Sequence, residues 1–178
     1  MRSLLLLACF FGPLQAEVVD RIAIVIGRNV VTELQIDEEL RVTAFLNNQP
    51  VTRDSATRRA AASRLIAQLL VERDMRLSHY PLPDPVDVDK YVAQVRAALS
   101  GYKGFDAALR AYSLTPEILR QHLELQLITL RFIEFRFRPD HDVSPNETVE
   151  RRMDQALDAW LEDARKQANI EYLDRTLQ

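Results

Sequence analysis

The sequence predicts a mainly α-helical single domain that opens with a small β-hairpin. Three observations carry this reading. Val18 to Ile26 alternates in strand fashion and runs into Gly27-Arg28-Asn29, residues suited to a tight turn. From Thr32 onward, apolar residues recur at helical spacing in one segment after another. The chain has 178 residues, a length that suits one domain and at most two.

In the hairpin, alternation sets Ile22, Ile24 and Ile26 on one side and Arg21, Ala23 and Val25 on the other. Val30 and Val31 supply the returning strand. Thr32 with Gln35 fits a capping box, followed by Leu34, Ile36 and Leu40 as a first helix. The breaker cluster Asn47-Asn48-Gln49-Pro50 ends it. Asp54 or Ser55 caps a long second helix to about Ser78, roughly 36 Å at 1.5 Å per residue. Its apolar stripe is Ala62, Leu65, Ile66, Leu69, Leu70 and Met75. Pro81, Pro83 and Pro85 stop any helix, and Asp87 starts a third with Tyr91, Val92, Val95, Ala98 and Leu99 on one side. Gly101 and Gly104 bracket a turn, and Phe105, Ala108, Leu109 and Tyr112 face one way on a short fourth helix.

Thr115-Pro116-Glu117 is a helix start, because proline is favoured at the first helical position. The fifth helix carries Ile118, Leu119, Leu123, Leu127, Leu130 and Ile133. Glu134 to Arg138 alternates charged and aromatic residues, so the helix is expected to give way to an extended arm near Pro139. Asp140 to Pro145 reads as a polar linker before a final helix, 146–167, whose apolar side is Leu157, Trp160, Leu161 and Ala164. In the closing stretch, Ile170 and Tyr172 alternate like a strand, whereas Ala164, Ala168 and Tyr172 keep helical spacing. Periodicity alone leaves both open.

Residues 1–16 read as a secretory signal peptide, with Arg2 ahead of the apolar run Leu4 to Phe11 and cleavage between Ala16 and Glu17. Leu6-Leu7-Ala8-Cys9 is faintly similar to a lipoprotein processing box, behind a very short apolar run. Cys9 is the only cysteine, so a mature chain, residues 17–178, would have no disulfide and no thiolate chemistry. Net charge is −3, or −4 once Arg2 is removed, which creates no basic field for nucleic acid and no polybasic membrane patch.

Candidate chemistry is sparse. Only four glycines occur, which excludes a phosphate-cradling loop or a dinucleotide fingerprint, and no cofactor is expected. Asp140-His141-Asp142 clusters three potential metal ligands, but adjacent residues in a linker rarely converge on one ion. His79 and His122 read as structural or solvent-facing. Acid pairs such as Glu38-Glu39 and Glu162-Asp163 are helix neighbours that do not face each other. Asn146-Glu147-Thr148 matches a glycosylation acceptor, relevant only in a eukaryotic secretory route. The remaining signal is the aromatic content between Tyr102 and Phe137. An apolar groove for an extended guest would draw on Tyr102, Phe105, Phe132, Phe135 and Phe137, with main-chain pairing giving affinity without sequence preference.

VVDRIAIVIGRNVVTELQIDEEL resembles the opening of SurA-type periplasmic chaperones, and the likeness continues through SRLIAQLLVERD and FDAALRAYSLTPEILRQHLELQL to AWLEDARKQANIEYL. It covers about residues 17 to 175 and rests on the order and spacing of the segments. The resemblance implies the helical SurA N-domain fold, related to trigger factor, with a closing strand 170–173 paired to the opening hairpin. It also implies ATP-independent holding of unfolded polypeptide, outer-membrane protein precursors above all, in the periplasm. Further implied partners are a separate prolyl isomerase or the outer-membrane assembly machinery. One departure limits the likeness: family members carry parvulin-type isomerase domains ahead of the closing helix, whereas here only residues 139–150 separate Arg138 from Arg151. Isomerase activity is therefore not expected, and the chain is read as a non-enzyme. The alternatives are a scaffold protein with one fixed periplasmic partner, or a divergent isomerase that a proline-limited refolding assay would reveal.

Overall fold

A computed structural model describes residues 20–99, 104–137 and 149–178. The expected signal peptide with its Ala16-Glu17 cleavage point lies outside the described residues. So do Tyr102, Asp140-His141-Asp142 and Asn146-Glu147-Thr148. The molecule is mainly helical with one small antiparallel sheet, the predicted fold class.

Strands β1 (Ile22–Ile26) and β2 (Asn29–Thr32) form the hairpin, turning through Gly27 at φ +58, where a side chain would be strained. The alternation predicted for β1 fails at its start. A register shift between Ile22 and Ile24 buries Ala23 beside Ile24 and leaves Ile22 exposed, as an extra residue in one strand of a pair does. The closing segment is a strand, β3 (Ile170–Tyr172), pairing antiparallel with β1 so that Ile24 faces Tyr172 and Ile26 faces Ile170. Sheet order is β2-β1-β3, which makes the two ends of the domain neighbours. Beyond β3, Leu173 N and Asp174 N both donate to Ala23 O, at 2.8 and 3.1 Å, so the pairing carries on past the strand.

Helix α1 (Glu33–Leu46) starts on the predicted capping box: Gln35 N donates to Thr32 Oγ1 at 3.2 Å and Thr32 N to Gln35 Oε1 at 2.9 Å. Asn48 ends it at φ +51. Helix α2 (Ser55–Leu77) is capped by Asp54, whose carboxylate accepts from Thr57 N at 2.9 Å. Helix α3 (Pro85–Ala98) begins two residues before the predicted Asp87. Pro85 starts this helix rather than stopping one, because Asp84 caps it and the first helical position needs no N–H. Helix α4 (Phe105–Ala111) follows Gly104, and α5 (Pro116–Phe137) starts at the predicted proline. The extended arm expected over Glu134 to Arg138 does not form within the described residues; α5 stays helical through Phe137. Helical packing overrides the local period of two there, since Phe132 and Arg136, one turn apart, both reach the indole of Trp160. Helix α6 is described over Val149–Gln167.

The core has three parts. The inner face of the sheet, Ile24, Ile26 and Val31, packs on Ile36 and Leu40 of α1 and on Ala62, Ile66 and Leu70 of α2, closed by Ala164 and Leu177. A second cluster joins Val42 and Phe45 to Leu109, Leu119 and Leu123. A third holds Val71, Met75, Ile128 and Phe132. Trp160 packs against the first and third parts, so α6 bridges them.

Candidate functional site

Helices α1, α2, α3, α5 and α6 surround an open cleft of about 570 Å³. Its apolar wall is Leu46, Val71, Leu130, Leu157 and Leu161. Periodicity explains the arrangement. Leu157 and Leu161 lie one turn apart on α6, as do Arg64 and Gln68 on α2, so each pair projects on one side of its helix. Leu130 is 48% exposed, an unusual position for a leucine on the apolar stripe of a core helix.

One end of the cleft is polar and internally balanced. Glu39, 5% exposed, accepts from Arg64 Nε at 2.6 Å and from Thr43 Oγ1 at 3.2 Å. His122, also buried, lies behind it with Nε2 3.4 Å from Glu39 Oε2. Its Nδ1 is 3.0 Å from Ile118 O; a carbonyl only accepts, so Nδ1 carries the proton of that bond. The Glu39–His122 contact is then an ion pair only when the ring holds both protons. Arg64 is thus neutralised by Glu39, and the wall of the cleft is left without a free charge from this cluster. Across from it, Tyr91 Oη donates to Gln126 Oε1 at 3.4 Å.

The aromatic residues expected to form a groove are placed elsewhere. Phe132 is fully buried, with its ring 4.6 Å from Trp160 and 5.7 Å from Phe137. Phe137 is half-buried against the same core. Phe105 meets Phe45 edge-on at 5.8 Å and supports the second core cluster, with the Arg96 guanidinium 4.7 Å above its ring. Phe135 alone of the described four stays open, 47% exposed and stacked on Tyr80 at 5.7 Å, away from the cleft lining. Phe132 is thus a core residue, while Phe105 and Phe137 are partly buried against the core and Phe105 also lines a small pocket with Phe45 and Leu99. Leu130, Leu157 and Leu161, expected on apolar helix faces, are instead part of the cleft wall.

Among the described residues no helix is long and apolar enough to cross a membrane. No protein-family model matches the chain, and no curated protein sequence matches it.

Proposed function

We propose that this chain is an ATP-independent holdase that shelters unfolded polypeptide in the periplasm, with outer-membrane protein precursors as its clients. The observation that carries the reading is the cleft. It is open, walled by leucines from α1, α5 and α6 and by Val71 of α2, and its charged end is already paired. Such a surface favours apolar chain over charged ligands. Pairing of β1 with β3 supports the reading as well, because the SurA-like segments at the two ends of the chain would need to meet. A binder of the unfolded state lowers free unfolded chain by mass action, and weak contacts let clients leave without nucleotide.

The test is light scattering from a denatured outer-membrane β-barrel protein diluted with and without this protein. The folded protein should suppress scattering, and Leu130→Ser together with Leu161→Ser should abolish suppression while the circular dichroism spectrum is retained. Scattering that is unchanged by the unmodified protein removes the proposal.

A further inference from the structure

Behind the polar end of the cleft, two acceptors face each other. His122 of α5 commits its Nδ1–H to Ile118 O at 3.0 Å, so a neutral ring turns the lone pair of Nε2 toward Glu39 Oε2, 3.4 Å away. That Nε2 is buried and has no hydrogen-bond partner among the described residues. The contact is attractive only when a proton lies between the two atoms. Glu39 is the only carboxylate in ion-pair contact with the ring among the described residues. Charged and polar groups on the surrounding helices are matched elsewhere. Arg41 of α1 pairs with Asp37, Asp89 of α3 with Arg120, Tyr91 of α3 with Gln126, Asp106 of α4 with Arg96, and Glu124 of α5 with Arg120.

Glu39 is a shared partner. Its Oε1 accepts from Arg64 Nε at 2.6 Å and from Thr43 Oγ1 at 3.2 Å, and all three side chains line the cleft. Arg64 is the open member of the ion pair, with 42% of its side chain exposed against 6% for Glu39. With a neutral ring, Arg64, Glu39 and His122 sum to zero charge. With a protonated ring they sum to +1, and Arg64 is the cation that meets the cleft.

We infer that protonation of His122 sets the charge preference of the cleft: the imidazolium draws on Glu39, frees part of the Arg64 charge, and lets a site for uncharged apolar segments also hold an apolar segment that carries a carboxylate. The inference rests on the holdase reading and adds a regulation to that same site. His122 is a positioning residue, acting on the client through Glu39 and Arg64. Histidine is the side chain suited to such a change between pH 5 and 8.

Fluorescence anisotropy tests this with two labelled, end-capped apolar octapeptides that differ in one central residue, glutamate in one and glutamine in the other. Binding is compared at about pH 8 and about pH 5.5, where the peptide carboxylate stays ionised. Lowering the pH should tighten the glutamate peptide about threefold relative to the glutamine peptide, the scale of one partly exposed ion pair. In His122→Gln, whose amide can still donate to Glu39, the ratio should be the same at both pH values, and Arg64→Gln should lose the gain as well. Imidazole NMR of the His79→Asn, His141→Gln variant, in which His122 is the only histidine, should show the ring taking up a proton over the same range. A ring that keeps one protonation state throughout, a flat ratio in the unmodified protein, or a gain that survives in His122→Gln overturns the inference. Binding of both peptides with a flat ratio sinks the inference alone; no binding of either, together with unsuppressed scattering, sinks the holdase reading with it. The peptide pair on the unmodified protein and the NMR titration decide the matter even if His122→Gln does not fold.

Discussion

Single side chains in this protein divide into those that close a helix end and those that fill the core. Thr32 does the first in both directions of a capping box, so Thr32→Ala should cost about 1 kcal/mol, read as a lower urea midpoint at unchanged slope. Phe132 does the second. Truncation to alanine would leave a cavity between Trp160, Phe137 and Ile128 and should cost about 3–5 kcal/mol, whereas Phe135→Ala on the open side should stay within about 1 kcal/mol. Glu39 is a third case. Removing it leaves Arg64 and Thr43 without their acceptor, so Glu39→Ala should destabilise by about 1–3 kcal/mol in the same experiment.

Among the elements, carboxylates tie the tail to α2, cap α2 and join α1 to the loop ahead of α2. Asp174 accepts from Thr176 Oγ1 and N and pairs with Arg58 of α2 at 3.0 Å; the Thr176 bonds first, then Arg58, hold its carboxyl below the usual 3.8. The backbone N–H of Thr57 does the same for Asp54 at the start of α2. Burial pushes Asp37 up, but Arg53 and Arg41 outweigh it and the net effect is downward. Each of these groups is more acidic folded than unfolded. Their stabilisation is therefore complete above the unfolded value near 3.8 and is lost as pH falls through the folded values. Thermal unfolding should show a midpoint that drops as pH is lowered below about 4, and Asp174→Asn should have a shallower drop than the parent. The tail also ends in a buried Leu177 packed into the first core cluster, so Leu177→Ala should lower stability by about 2–3 kcal/mol despite lying one residue from the end of the sequence.

At the scale of the whole molecule, β1 is the central strand and both of its partners are needed to cover it. A chain truncated after Gln167 would expose one edge of β1 and uncover Ile24 and Ile26. Amide exchange in that variant should accelerate across β1 and the first half of α2 while the second core cluster, built from α1, α3, α4 and α5, keeps its protection. Uniform loss of protection would instead show that the three parts of the core fold as one unit.

The chain by itself determined where α1, α2 and α5 begin. Capping at Thr32 and Asp54 and the proline at position 116 are local chemistry, complete within four residues, and each is where the sequence places it. Local chemistry also settled the Gly27 turn and the mainly helical class. Only the tertiary structure decided the rest. Ile22 and Ala23 exchange places because the bulge depends on what β2 and β3 do to β1. The 134–137 stretch stays helical because Phe132 and Arg136 find Trp160 from a segment far along the chain. Above all, the cleft is built where five helices meet and leucines of α1, α5 and α6 line the gap, and a stripe of apolar residues reads the same in sequence whether a neighbouring helix lands on it or stops short.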